Sequence, residues 1–217
     1  MNMLLDTRSI EEFNALFYDI RSWEHTSWCG IPIFKNPLDL HIIQEIIVET
    51  EPNIIIETGT YQGGSAHYYA SILDMMQCNN TTLDRIYSYI FTIDIENMIH
   101  PHAAKHPRIF TLTKDSKLAI PSIKTWMNIV FPIKIDKTPK VMVILDSDHT
   151  YEHVKMELEL YGALVTPGCY LIVEDTNTQG VAQALSEFLP YHPEFTADKK
   201  REKFLCTFNP GGFLKKE

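Results

Sequence analysis

The chain is short of several things. No apolar run approaches the ~18 residues that a bilayer span needs, so no membrane span is expected in these 217 residues. Cys29, Cys78, Cys169 and Cys206 form no C-x-x-C pair, which sets aside zinc knuckles and redox dithiols. They read as free thiols of a reducing, cytoplasmic compartment. The opening Met-Asn-Met stretch lacks the charged-then-apolar order of a signal peptide. Basic residues are in deficit: 19 Lys and Arg stand against 28 Asp and Glu, for a formal net charge of -9. That balance argues against a nucleic-acid partner, which favours a basic face. The short run Lys199-Lys200-Arg201 reads as a solvated turn. Internal repeats and low-complexity segments are absent as well, and no linker divides the chain.

What is present is the composition of a folded protein, 45% hydrophobic and 22% charged. Residues 8–21 space Ile10, Phe13, Leu16, Phe17 and Ile20 at helical intervals. A polar, aromatic loop follows, and Leu38–Glu49 reads as a second helix with Pro37 near its start. From there, short apolar runs alternate with helix-like stretches. The runs are Ile54–Ile56, Ile90–Ile93, Ile109–Leu112, Val141–Leu145 and Tyr170–Val173. Near-continuous apolar runs are the mark of strands buried on both faces of a parallel sheet, and the alternation predicts a doubly wound, Rossmann-like α/β fold. Glu194–Thr196 and Lys203–Phe208 are strand-like pieces without a long helix between them, expected as an antiparallel pair at the sheet edge. The reading is one domain over residues 1–217: a helical cap over 1–50 and an α/β core over 51–217.

The first central strand runs into Glu57-Thr58-Gly59-Thr60-Tyr61-Gln62-Gly63-Gly64-Ser65. A glycine-rich turn between strand and helix lets a ligand approach the backbone. The pattern is not the G-x-G-x-x-G dinucleotide fingerprint, and Glu57, two residues before the glycine, suits a cationic ligand part better than a pyrophosphate. S-adenosylmethionine, with its sulfonium and amino group, fits. Asp94 ends the second strand, where an acid commonly binds ribose hydroxyls. The polar stretch Cys78-Asn79-Asn80-Thr81-Thr82 reads as a loop insertion that lengthens the gap between the two acids. Asp115 and Ser116 follow the third strand, where the adenine end would lie, although Ser116 could equally cap a helix.

Two more strand ends carry acids: Asp146-Ser147-Asp148-His149 after the fourth and Glu174-Asp175 after the fifth. Parallel strands present their carboxyl ends along one edge, so these groups can converge beside Gly59. Clustered carboxylates repel unless a cation neutralises them, and hard oxygen ligands select Mg²⁺, Mn²⁺ or Ca²⁺. His149 could take a proton from a metal-bound hydroxyl. His149 and His153, four residues apart, could instead join a carboxylate in an iron facial triad. Helix caps and a surface imidazole are the plainer alternative. Elsewhere, His25–Gly30 could form a lid or an N-terminal packing element, Tyr61 and Gln62 could touch a ligand, His100, His102 and His106 read as surface residues, and Met75 and Met76 as core.

Taken together, Ile56–Thr60 with Gly63-Gly64-Ser65, Asp146–His149, Pro167-Gly168 through Thr176, and Lys203-Phe204-Leu205 through Gly212 resemble the family named after cephalosporin hydroxylase and rhamnosyl O-methyltransferase. The likeness runs from about Trp28 to Lys215. It implies a class I methyltransferase fold, with a seven-stranded, mostly parallel sheet and one antiparallel strand. It also implies S-adenosylmethionine held by residues 57–60, 63–65, Asp94, Asp115 and Ser116. Asp146, Glu174 and Asp175 become ligands of Mg²⁺ or Mn²⁺, and His149 the general base for a hydroxyl of a sugar or small natural product. Asp148 could replace Asp146. An iron oxygenase and a non-catalytic S-adenosylmethionine-binding protein are the other readings, and a homo-oligomer is left open.

Overall fold

A computed structural model of the chain describes residues 8–79, 88–130 and 139–217. Helix α1 (Arg8–Asp19) ends before a short 3₁₀ turn, Ser22–His25. A tight hairpin pairs β1 (Ser27–Trp28) with β2 (Ile31–Pro32). Its two connecting residues, Cys29 and Gly30, both have positive φ, 49° and 83°, the geometry that suits the strand twist. Helix α2 (Pro37–Thr50) follows, with Asn36 as its cap: Asn36 Oδ1 accepts from Leu38 N at 2.9 Å. Pro37 at the first helical position costs no hydrogen bond there.

The core alternates β3 (Ile54–Thr58), α3 (Gly64–Asn79), β4 (Tyr89–Asp94), α4 (Pro101–Ala104), β5 (Ile109–Thr113), α5 (Ser116–Val130), β6 (Val141–Leu145), α6 (Tyr151–Gly162), β7 (Tyr170–Val173) and α7 (Gln179–Phe188). The edge strands β8 (Phe195–Ala197) and β9 (Phe213–Lys216) complete a seven-stranded sheet in the order β5-β4-β3-β6-β7-β9-β8. Among the described residues, β9 is the strand of this sheet that opposes the others, pairing antiparallel with both β7 and β8. The five expected parallel strands are therefore all present. Every residue of β3, β6 and β7 is buried, as continuous apolar runs demand of a sheet covered on both faces. Ile42, Ile43, Ile46 and Ile47 of α2 share one apolar cluster with these strands. The chain order reverses between β3 and β6, and the crevice at their carboxyl ends is where such sheets bind ligands.

The structure corrects four details. Lys203–Phe208 is not a strand; the last strand is Phe213–Lys216. The donors of the earlier segment go elsewhere: Thr207 Oγ1 and Phe208 N both donate to the buried Asp39 carboxylate, at 2.5 and 2.9 Å. Leu205 takes a left-handed φ of 61°, which no ladder accommodates. The polar stretch read as a loop insertion begins inside α3, at Cys78 and Asn79; its remainder, 80–82, lies outside the described residues. Met75 is 55% exposed, and Met76 alone packs on the core. Arg201 is no solvated turn residue, since its guanidinium bonds Tyr170 and Asp198. Among the described residues no helix is long and apolar enough to cross a membrane.

Candidate active site

A cavity of about 580 Å³ opens at the carboxyl edge of β3, β4, β5 and β6, within the range of small-molecule sites. The loop after β3 forms one wall through Gly59, Thr60, Gly64 and Ser65. At two glycines there a side chain would collide with a neighbouring backbone. At Gly59 φ is +88° and a Cβ would stand 1.8 Å from the Asp146 carbonyl oxygen; at Gly64 it would stand 2.0 Å from that of Pro32. The loop is thus pressed between the end of β6 and the β2 segment. Asp94 secures its far side, accepting from Tyr61 N at 2.8 Å.

Asp94, Asp115 and Ser116 line the cavity. Asp115 also accepts from Lys117 N at 2.8 Å, beside the start of α5. Glu57, Thr58 and Gly63 do not line it. Glu57 is wholly buried and accepts from Thr92 Oγ1 at 2.7 Å; burial pushes its carboxyl up to about 7. Thr58 Oγ1 donates to Glu157, and a Cβ on Gly63 would meet Ile99. Glu57 and Thr58, adjacent in the strand, point to opposite faces of the sheet, each into a buried hydrogen bond, and with Gly63 they support the loop without lining the cavity.

At the other end of the cavity the two acidic strand ends meet. The ligand atoms of Asp146, His149 and Asp175 all lie within 4.8 Å of one another. His149 sits between the two acids, its Nε2 3.5 Å from Asp146 Oδ1 and its Nδ1 3.4 Å from Asp175 Oδ2. Burial works to lower the imidazole's pKa, but its interaction with Asp146 outweighs that and holds it above the ordinary value. Burial, then the Asp146 charge, raises Asp175 to about 6. Asp148 is exposed and accepts from Thr150 N at 2.9 Å, so Asp146, not Asp148, belongs to this group.

Glu174, expected as a third ligand, lies beside Asp146, the two converging on Lys35. Its Oε1 lies 3.1 Å from Lys35 Nζ, and its Oε2 accepts from Asn209 Nδ2 at 3.0 Å. Lys35 Nζ also lies 2.6 Å from Asp146 Oδ2. Burial opposes the ammonium, yet Asp146 and Glu174 hold its pKa well above normal. A buried carboxylate must be paired, and for Glu174 the partner is a lysine 139 positions away in sequence.

Sequence reasoning missed Lys35 and Asn209, and it paired His153 with His149 only in an alternative reading. His153 Nε2 lies 3.0 Å from Ser147 Oγ, 3.3 Å from Ser116 Oγ and 3.1 Å from Glu157 Oε1. It therefore shares no cluster with His149, and a two-histidine facial triad is not assembled. Tyr61 lines the cavity, with Tyr18, Trp23 and Phe34 continuing an aromatic wall beside it; the Phe34 and Tyr61 rings lie 4.8 Å apart. Of the two readings of His25–Gly30, lid or packing element, the packing element is the one seen: Trp28 meets Tyr68 at 4.8 Å and donates to Ser71 Oγ. His102 is exposed, as expected, while His100 and His106 are half-buried.

A seven-stranded sheet with one reversed strand, a glycine turn after its first central strand and acids at the next strand ends define a class I methyltransferase. Solved structures share this fold. CmcI with Mg and SAM aligns over 90% of this chain and 78% of its own at 18% identity, with a TM-score of 0.63. An O-methyltransferase from Bacillus cereus in complex with SAH aligns over 91% and 86% at 16% identity, with a TM-score of 0.51.

The chain belongs to the rhamnosyl O-methyltransferase/CmcI family, whose pattern it matches over residues 20–217. It is 32% identical over 216 residues to a rhamnosyl O-methyltransferase of Mycobacterium leprae, covering 94% of this chain and 89% of that one. One of Mycobacterium bovis (strain BCG / Pasteur 1173P2) is 31% identical over 217 residues, covering 94% and 83%. That membership makes the protein an S-adenosylmethionine-dependent O-methyltransferase.

Proposed function

We propose that this enzyme methylates a sugar hydroxyl with the help of a divalent cation, and that His149 is its general base. The observation that carries the reading is the meeting of Asp146, His149 and Asp175 within 4.8 Å at one end of the cavity. Asp146 and Asp175 offer hard oxygen atoms suited to Mg²⁺ or Mn²⁺; Glu174, engaged by Lys35 and Asn209, stands behind them. The CmcI structure's magnesium is in keeping with this.

A cation held there supplies positive charge that makes a bound hydroxyl more acidic. The protein's own groups do the rest. The Gly59 loop, Asp94, Asp115 and Ser116 hold the methyl donor along the sheet edge. Glu57, Thr58 and Gly63 set that loop's shape from beneath. His149, with Asp146 and Asp175 on either side, takes the hydroxyl proton. The freed oxygen pair bonds to the methyl carbon as the carbon–sulfur bond breaks, leaving neutral S-adenosylhomocysteine and a protonated imidazole, which then returns its proton to solvent.

The acceptor reading comes from the relatives, named as O-methyltransferases of a rhamnosyl group, and from the wall of Tyr18, Trp23, Phe34 and Tyr61, which suits the apolar face of a sugar ring. We take residues 1–217 as one methyltransferase unit, and its free cysteines as fitting the cytoplasm. The test is a panel of rhamnosides, other glycosides and phenols incubated with methyl-labelled donor. Label transfer to a glycoside is the expected result. Transfer to phenols alone overturns the sugar assignment, and donor binding without transfer to any acceptor, metal supplied, favours a non-catalytic binder.

A further inference from the structure

Phe34 is 38% exposed, although its neighbours Ile33 and Lys35 are buried to within 4%. The segment that carries it is anchored. Ile33 N donates to the Thr26 carbonyl at 3.1 Å, and Lys35 N donates to the carbonyl of Ile33. The second bond closes a three-residue turn with Phe34 at its apex. Asn36 and Pro37 then start α2 directly after the turn. An apolar ring is thus put forward by a backbone that is fixed on both sides, and it lines the cavity.

Phe34 is also the middle of a row. Its ring lies 6.1 Å from Trp23, at 78°, and 4.8 Å from Tyr61, at 34°. The three residues come from separate segments: the 3₁₀ turn, the stretch after β2 and the loop after β3. The indole's sole donor is spent within the protein, on the Tyr18 carbonyl at 3.2 Å, and Phe34 has no polar atom in its side chain. The middle of this wall therefore offers a ligand apolar ring surface and no hydrogen bond. Such a surface holds the C–H face of a ring, while the few polar groups of a pocket fix its orientation.

We propose that Phe34, flanked by Trp23 and Tyr61, is the platform on which the acceptor sugar stacks, and so a residue that sets acceptor specificity. This rests on the sugar reading above and goes beyond it in assigning the residue that grips the sugar and the face that is gripped. The contact is the same before and during methyl transfer. Uniform binding of that kind acts on KM and leaves the chemical step at His149 unchanged.

The test uses the glycoside that the acceptor panel identifies, methyl α-L-rhamnopyranoside being the first tried, at saturating donor and Mg²⁺. Phe34→Ala should raise KM for the glycoside by about tenfold, with kcat held within about threefold. Phe34→Tyr and Phe34→Trp keep a flat ring and should stay within about threefold of wild type in KM. Phe34→Leu keeps apolar bulk without the ring and should resemble Ala; it stands in if the Ala variant does not fold. Affinity for S-adenosylhomocysteine should be unchanged in all four. Tryptophan emission gives a second readout. Trp28 packs on Tyr68 and Trp126 on Phe91 and Phe110, so Trp23 is the tryptophan at the cavity. Glycoside added to the S-adenosylhomocysteine complex should change the emission of wild type, and the Ala variant should need about tenfold more glycoside for the same change. Unchanged KM in both Ala and Leu overturns the platform and leaves methyl transfer to glycosides standing. A loss of S-adenosylhomocysteine affinity that matches the rise in KM makes Phe34 part of the donor site and overturns it too. Wild-type enzyme that methylates no glycoside overturns the sugar reading, and the platform with it.

Discussion

His149 and Asp175 face each other across 3.4 Å, Nδ1 to Oδ2, although they come from segments that follow different strands of the sheet. The acid holds a left-handed backbone, φ 53°, at the turn leaving β7. Its carboxylate and that of Asp146 flank the imidazole from two sides and orient it toward the cavity. His149→Ala should lower turnover by about 10²–10⁴-fold, the usual share of a general base, with affinity for S-adenosylhomocysteine kept, because none of the donor-facing groups is touched. Calorimetric titration with S-adenosylhomocysteine and single-turnover methyl transfer separate the two effects. A variant at near-wild-type rate removes His149 from the proton transfer.

The same cluster makes metal removal informative. Exhaustive chelation with EDTA should stop methyl transfer, and added Mg²⁺ should restore it, with Mn²⁺ as an alternative. Full rate in chelated enzyme, checked by elemental analysis of the protein, would take the cation out of the mechanism and leave Asp146 and Asp175 as partners of the imidazole alone.

Much of this architecture is legible in the sequence, and the reason is periodicity. Ile54–Ile56, Val141–Leu145 and Tyr170–Val173 are apolar at nearly every position, which only a doubly covered strand accommodates, so the strands and the acids at their carboxyl ends follow together. Periodicity says nothing of lone polar residues in loops. Lys35 reaches Asp146 over 111 positions and Asn209 reaches Glu174 over 35; neither belongs to a repeating pattern. The one local hint was the placing of Lys35 just before Asn36-Pro37, a helix start. The mistaken last strand has the same origin: Thr207 and Phe208 look strand-like by side chain, while the acceptor that claims their donors, Asp39, is far away in sequence.

Glu57 gives a pH signature of stability. Its folded carboxyl is raised to about 7 from an ordinary 4.5, chiefly by burial. A raised acid means the folded state holds a proton that the unfolded state has released. Glu57's contribution is therefore fully present below about pH 4.5 and is lost as pH rises through about 7. Glu57→Gln cannot release a proton, so its stability relative to wild type should rise between pH 5 and pH 8 by up to roughly 3 kcal/mol. Urea unfolding at a series of pH values measures this. Parallel curves for the two proteins would mean that Glu57 is ionised throughout, held so by Lys35.

The glycine loop makes the sharpest structural prediction, because two of its residues fail for different reasons. At Gly59 an alanine faces both a φ of +88° and the Asp146 carbonyl oxygen at 1.8 Å; neither backbone can yield without moving the end of β6 and the acid it carries. Gly59→Ala should cost more than roughly 2 kcal/mol and abolish donor binding. Gly64 lies at the start of α3, so alanine there is not opposed by backbone conformation, only by the Pro32 carbonyl oxygen at 2.0 Å. The strain therefore falls on β2, a two-residue strand whose Ile31 is packed in the core, and not on a strand of the main sheet. Gly64→Ala should therefore unfold at a lower temperature but remain folded, with its main defect in the residues that follow Pro32, including Phe34 and Lys35. Thermal melts and S-adenosylhomocysteine titration of both variants check the difference. Equal defects in the two would show that the loop moves as one rigid piece and that the separate contacts with β6 and β2 do not matter.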